Sequence, residues 1–428
     1  MNAAPLRLDR KAMRFFWRLT LAKAASEAGN SFLYVAVPWA LMQITGSGFL
    51  AVLSMAAQTT PYLLSPFLGA LIDRHDRRIA FAVAEMVQFA AVAALPLLLA
   101  WHQVGMVYAA LFVVGLGKAV SDATSHYGLI PALVPQERLQ QASGWFNAVL
   151  LLARLTGPAL AGLTVAALGP SWALGIDAVT FLGTVLAALT LPALGASGRA
   201  DGGVPLLALM REGFAYFRSR RDLRWLSAVM ALYNLGVGGL EPTLLTLGTL
   251  HWKWSSASLG LVLSGGAAAA AVGAWMSSRR TADDEDVRRR IGAWMAVTAL
   301  GSVALLFAPP WAVAGGFVVL CLGEGGFNST TMAFRQREIP PELSGRINTI
   351  IRTFIIGAIP VSSFLLGMTL SQSLPVPVLL PVTVGALGAA ALWGLTVMRQ
   401  GPGAPAVTRT AAPPAAPAAD RLSKERLV

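Results

Sequence analysis

Several ionisable side chains stand inside long apolar runs: Lys23, Glu27, Glu85, Lys118, Asp122, Arg154, Asp177, Glu241, Glu324 and Arg352. A charge in such a run is costly, so each is a functional candidate by default. The chemistry open to them is proton carriage or recognition of a charged ligand. Lys23/Glu27 and Lys118/Asp122 are spaced i,i+4, and each pair could neutralise itself within one helix. Glu241 and Glu324 have no basic neighbour in sequence, and Glu324 stands between Gly323 and Gly325-Gly326. Glu324 and Glu27 lead as proton carriers, followed by Glu241. Arg154, three residues before Gly157-Pro158, could face a cavity or pair with an acid. Asn30, Gln58, Trp145, Asn147, Tyr233, Asn234 and Asn328 add amide and aromatic groups suited to a bulky amphipathic ligand, although such groups also pack helices. Metal chemistry is not expected: His75, His102, His126 and His251 are scattered, and Cys321 stands alone.

The elements that must position these residues are long helices. Of the 428 residues 55% are hydrophobic and 13% charged, with mean hydropathy +0.62. A soluble chain would carry roughly 25% charged residues, so the composition indicates an all-α membrane protein that crosses the bilayer many times. The net charge of +12 does not make it a nucleic-acid binder. Its basic residues sit in short clusters between apolar runs, as cytoplasmic loops do. A span needs about 20 apolar residues. Twelve transmembrane helices are expected, at roughly 19–44, 48–72, 78–100, 104–126, 140–167, 171–193, 222–248, 255–277, 289–308, 311–333, 345–370 and 376–398.

The connectors alternate. Charge sits in the N-terminal segment, 73–78, 136–138, 199–224, 279–290, 335–346 and the tail; the intervening turns carry almost none, Lys253 excepted. This positive-inside pattern puts both termini in the cytoplasm. The expected organisation is a cytoplasmic segment 1–18, a six-helix half 19–193, a linker 194–221 with an amphipathic helix, a second six-helix half 222–398 and a disordered tail 399–428. No cleavable signal peptide is expected. The halves repeat: Asn30 and Asn234, Pro38 and Pro242, and Gly69 and Gly273 each stand 204 apart (234 − 30, 242 − 38, 273 − 69). Such parallel six-span repeats place a substrate site at their interface.

Two motifs make the chain resemble the major facilitator superfamily. Gly69-x-x-x-Asp73-Arg74-x-x-Arg77-Arg78 looks like that family's loop between spans two and three, with Asp76 where glycine is usual. The resemblance implies a gate latch, with Asp73 facing the start of span eleven near 344–348 and Arg74, Arg77 and Arg78 holding the turn inside. The second-half copy has Ser277 in place of Asp73. Span five carries Gly144, Ala153, Gly157, Pro158, Ala161 and Gly162, similar to the family's antiporter signature with two glycines replaced by alanine. Overall texture is similar to the macrolide and enterobactin exporter branch.

The resemblance implies the major facilitator fold, with spans three, six, nine and twelve outside the cavity, so that Glu85 and Asp177 are structural. It further implies a monomeric inner-membrane antiporter with no cofactor, driven by the proton gradient and exporting a drug, siderophore or natural product. An importer or facilitator is the alternative. A transport-inactive partner or a membrane enzyme is a more distant one, since no catalytic constellation gathers at a membrane interface.

Overall fold

The computed structural model describes residues 10–64, 67–68, 76–125, 129–135, 139–192, 206–279, 284–307, 309–339, 344–370 and 375–400. Gly69, Asp73 and Arg74 of the loop motif lie outside these residues. In the first half of the chain α1 spans Arg10–Thr45 and α2 Gly48–Thr59, running on into a 3-10 turn, Thr60–Leu64. They are followed by α3 (Arg77–Ala100), α4 (Val104–Thr124), α5 (Leu139–Leu168) and α6 (Pro170–Leu189). The linker holds α7 (Leu206–Ser219). The second half comprises α8 (Arg221–Val237), α9 (Leu240–Leu250), α10 (Ser256–Ser278), α11 (Asp284–Ala304), α12 (Pro310–Glu338), α13 (Ser344–Thr369) and α14 (Pro375–Gln400).

Local chemistry sets the ends. Gly46 and Gly169 adopt positive φ (65° and 86°) where α1 and α5 turn back. The Ser47 hydroxyl accepts from Leu50 N at 3.3 Å to cap α2, and the Asp76 carboxylate accepts from Arg78 N at 2.8 Å to cap α3.

Among the described residues, 8 helices are long and apolar enough to cross a membrane: α3, α4, α5, α6, α10, α12, α13 and α14. The other four expected spans fall short for visible reasons. Charges interrupt α1, α2 gives way to the 3-10 turn, and α11 opens on Asp284, Glu285 and Asp286. The seventh span breaks between α8 and α9 at Gly238-Gly239. Its repeat counterpart in α1 is Tyr34-Val35 (238 − 204, 239 − 204), and α1 runs through unbroken. Two glycines supply the flexibility that Tyr34-Val35 denies.

Each half packs on itself. In the first, α1 lies on α5 and α6, α3 on α4 and α6, and α2 on α4; in the second, α12 lies on α10 and α11, and α14 on α8 and α11. The halves meet where α5 touches α10, α2 touches α13, and α9 touches α1 and α2. Small residues allow the approach. A Cβ on Gly162 of α5 would stand 3.0 Å from the Gly260 Cα of α10. Near the uncharged connectors Phe49 and Phe364 meet edge to face at 5.8 Å. The linker helix docks on the second half: Phe217 is buried and stacks on Phe354 of α13 at 6.0 Å, and Tyr216 OH donates to the Glu338 carbonyl at 3.0 Å.

Candidate functional site: an asymmetric charge network between the halves

Six intramembrane charges of the first half converge (Lys23, Glu27, Glu85, Lys118, Asp122 and Arg154), while Asp177 of α6 stays apart, buried, with neither carboxylate oxygen hydrogen-bonded among the described residues. Lys23 of α1, 1% exposed, donates to Ser121 Oγ of α4 at 2.6 Å and pairs with Glu85 of α3 at 3.3 Å and Asp122 of α4 at 3.5 Å. Ser121 in turn donates to Glu85. One turn along α1, Glu27 takes Lys118 of α4 at 2.9 Å and Arg154 of α5 at 2.8 Å. Asn30 Nδ2 reaches the same carboxylate at 3.5 Å. Lys118 also approaches Asp122 at 3.9 Å. Each of these acids therefore has a cation, and Glu27 and Asp122 have two each from the first half. Buried ions persist only when compensated in this way.

The network crosses to the second half through Asp122. Its Oδ2 accepts from Tyr62 OH of the 3-10 turn at 3.0 Å and lies 3.6 Å from Arg352 Nη2 of α13. The Arg352 guanidinium stacks over the Tyr62 ring, 5.1 Å from its centroid. Asp122 thus faces lysines of its own half through one oxygen and an arginine of the other half through the second.

The second half is built differently. Tyr233 OH of α8 donates to Glu324 Oε2 of α12 at 3.3 Å, and Asn328 Nδ2 donates to Oε1 at 3.5 Å. Tyr233 is itself buried, 5.7 Å from the Phe327 ring. Glu241, at the start of α9, is exposed and within electrostatic reach of Glu324. Among the described residues no lysine or arginine stands within 4.0 Å of either carboxylate. The positions that match Lys23 and Glu27 by repeat are Ser227 and Ala231 (23 + 204, 27 + 204), so the cationic network has no copy here.

The remaining expected site residues divide. Asn147 lies on the Arg154 stripe of α5, seven residues earlier, and is exposed. Trp145 lies nine residues from Arg154, about 180° around the helix. It is 54% exposed, on the side of α5 away from Arg154, with its ring 6.2 Å from that of Trp17. Gln58 is buried, and its amide donates back to the Ser54 carbonyl at 3.3 Å. Asn234 is half-buried, and its carbonyl accepts from Gly238 N at 2.8 Å at the end of α8. Asp177 is buried on the face of α6 that meets Gly29 of α1.

Of the span-five motif, Gly157 packs on Ser31 and Ala28 of α1, while Pro158 and Gly162 pack on α10. Beside the proline, Ala159 N donates across to Ser264 Oγ of α10 at 2.9 Å. Gly144 has open space where its Cβ would be. In the loop motif Arg78 donates to the Leu191 carbonyl beyond α6 at 2.8 Å, and Arg77 opens α3. The second-half copy is closely packed. Gly273 lies against α12, and Ser277 and Thr330 share a buried hydrogen bond of 2.6 Å.

Sequence reasoning missed Tyr62 and left Lys23, Asp122 and Arg352 out of the site. Pro61 and the short apolar run around Tyr62 give no chemical signal, and cross-helix pairing has no spacing signature.

A model of the Major Facilitator Superfamily matches residues 19–361. The multidrug efflux pump Tap of Mycobacterium tuberculosis is 27% identical over 371 residues, covering 82% of this chain and 85% of that protein. Macrolide efflux protein A of Streptococcus pyogenes is 30% identical over 230 residues, 51% of this chain and 55% of its own length. Among solved structures, a bacterial homologue of the iron transporter ferroportin in an inward-facing state superposes with a TM-score of 0.66 at 19% identity, covering 90% of this chain and 99% of that one. The nucleoside transporter NupG superposes with a TM-score of 0.71 at 10% identity, covering 90% and 99%. At these identities the structural likeness speaks for the fold.

Proposed function

The chain belongs to the Major Facilitator Superfamily, and from that premise we propose that it exports a small organic molecule by proton-coupled alternating access. It is a multi-pass membrane transporter, not an enzyme. Relatives that are efflux pumps support the outward direction, and the span-five packing at Gly157, Pro158 and Gly162 agrees with it. We further place twelve spans across the cytoplasmic membrane of a bacterium, as a monomer with both termini inside. The contacts at Phe49, Phe364, Gly162 and Gly260 then close the outer side.

The observation that carries the coupling proposal is the contrast in charge compensation. Glu27 is met by two cations, which suits it to a fixed charge. Glu241 and Glu324 have none among the described residues, so in a low-dielectric cavity they call for a proton or a cationic group on the cargo. We assign proton carriage to this pair, with Glu324 steadied by Tyr233 and Asn328. Proton entry from outside would displace the cargo, and proton loss inside would restore its site. Arg154 and Asn147 border the cavity opposite. The gate role of Asp73 stays with the proposal: Asp73→Asn should impair transport and leave insertion intact.

Proteoliposomes loaded with a pH-sensitive dye test this reading, with a macrolide as the first compound. Compound-driven proton flux should vanish in Glu241→Gln and Glu324→Gln and survive in Trp145→Ala. Flux unchanged in both glutamine variants would remove the pair from coupling. Compound movement down its own gradient without proton flux would make the protein a facilitator.

A further inference from the structure

We propose that the start of α1 and the outer flank of α5 form a binding site for an anionic phospholipid, its phosphate held between Arg14 and Arg18. Met13, Arg14, Trp17, Arg18 and Leu21 line an open groove of about 400 Å3 on this surface. Arg14 and Arg18 are one helical turn apart, both exposed. Among the described residues neither guanidinium has an acidic or carbonyl partner. Three other arginines are tied: Arg78 to the Leu191 carbonyl, Arg288 to Asp222 at 2.8 Å, Arg279 over the Trp275 ring at 3.9 Å. The guanidinium fork matches phosphate oxygens, which makes the pair a ready phosphate clamp.

The rest of the surface fits a lipid tail. Deeper along the same flank Leu21 is 60% exposed, Trp145 54% and Leu152 61%. Trp145 and Leu152 are seven residues apart on α5 and share a face. Trp17 and Trp145 lie 6.2 Å apart at the level of the arginines, where indoles settle at a membrane interface. Cations above and a continuous apolar strip below complement an acidic head group joined to an acyl chain. A hydrated free phosphate would gain nothing from the strip. The site is at the basic end of the helices, next to the leaflet whose anionic lipids attract such residues. It does not depend on the cargo or on the coupling ion.

The test is retention of phosphatidylglycerol by the purified full chain, read by native mass spectrometry and by the rise in melting temperature on titration. Phosphatidylcholine and inorganic phosphate serve as comparison ligands. Phosphatidylglycerol should bind and stabilise, and the other two should not. Arg14→Gln with Arg18→Gln should weaken it roughly tenfold or more, whereas Arg211→Gln with Arg221→Gln leaves it unchanged. If the glutamine pair does not purify, Arg14→Lys with Arg18→Lys and a salt titration of the unaltered chain decide. Weaker binding in the lysine pair and loss of lipid with salt support the clamp. Unchanged phosphatidylglycerol binding when Arg14 and Arg18 are both replaced, by glutamine or by lysine, overturns it, as does an equal response to phosphatidylcholine. Competition by millimolar inorganic phosphate would make it a plain anion site and overturn the lipid assignment.

Discussion

The two halves pack against each other yet treat charge differently, Asp177 of α6 being the one buried acid of the first half that no cation meets among the described residues. Around α1, α3, α4 and α5 every acid of the network is matched: Glu85 with Lys23, Glu27 with Lys118 and Arg154, Asp122 with Lys23 and Arg352. Around α8, α9 and α12 no lysine or arginine meets Glu241 or Glu324 among the described residues, and Glu324 is served by a phenol and an amide. A duplicated fold has thus separated a fixed ionic frame from a pair of acids that something mobile must neutralise. If Glu241 and Glu324 carry the coupling proton as proposed, substitutions on the two sides should fail in different ways.

The sharpest contrast comes from Lys23→Met. It leaves Glu85, 0% exposed, without its cation, at a cost of about 3–5 kcal/mol. The yield of folded protein and its melting temperature should fall together. Gly162→Val comes next. The new side chain meets the Ser256 carbonyl and Gly260 on α10, and overpacking of this kind costs about 1–3 kcal/mol. Transport should fall further than stability, because that contact joins the halves; a melting temperature that dropped while transport held would argue against a moving seam. For Arg352→Gln the loss should be about 1 kcal/mol or less, since Arg352 is 36% exposed and Asp122 keeps its two lysines. Its effect should appear as a changed balance between open and closed states in spin-label distances across α4 and α13. Smallest in stability is Glu324→Gln, which retains the hydrogen-bonding shape and should change unfolding by less than about 1 kcal/mol while abolishing coupling. A large loss of stability there would place Glu324 in the frame and erase the contrast.

Much of the fold was legible because its signals are local. Apolar length, alternating basic connectors and glycine turns such as Gly46 and Gly169 can each be read within a few residues. The site was less so. The spacing of Lys23 and Glu27 pointed to a pair within one helix, but Lys23 turns to α3 and α4 and Glu27 to α4 and α5. Spacing along a helix fixes which residues share a face; which partner lies opposite depends on the packing of other helices. Lys118 and Asp122 do approach, at 3.9 Å, yet both have other partners. Trp145 looked like a ligand-stacking group until its angle from Arg154 set it on the outer surface. The break at Gly238-Gly239 was readable in principle from the repeat, since its counterpart Tyr34-Val35 cannot flex in the same way.

That break has a mechanical consequence. Gly239 N, freed from the helix ladder, donates to Ser362 Oγ of α13 at 3.0 Å, and a Cβ on Gly239 would stand 2.8 Å from the Ser363 Cα. The joint of the seventh span is therefore tied to α13, on which α8 also packs, together with α14, while α9 lies against α1, α2 and α10. In engineering terms α1 is a strut and its repeat partner a knuckle. The contacts of α1 and α2 bear on α9, on the far side of the knuckle from α8. Glu241 rides two residues beyond that joint, whereas Glu324 is fixed on the long rod of α12. The distance between the two acids therefore depends on the joint's angle, and with it whether one positive charge could serve both.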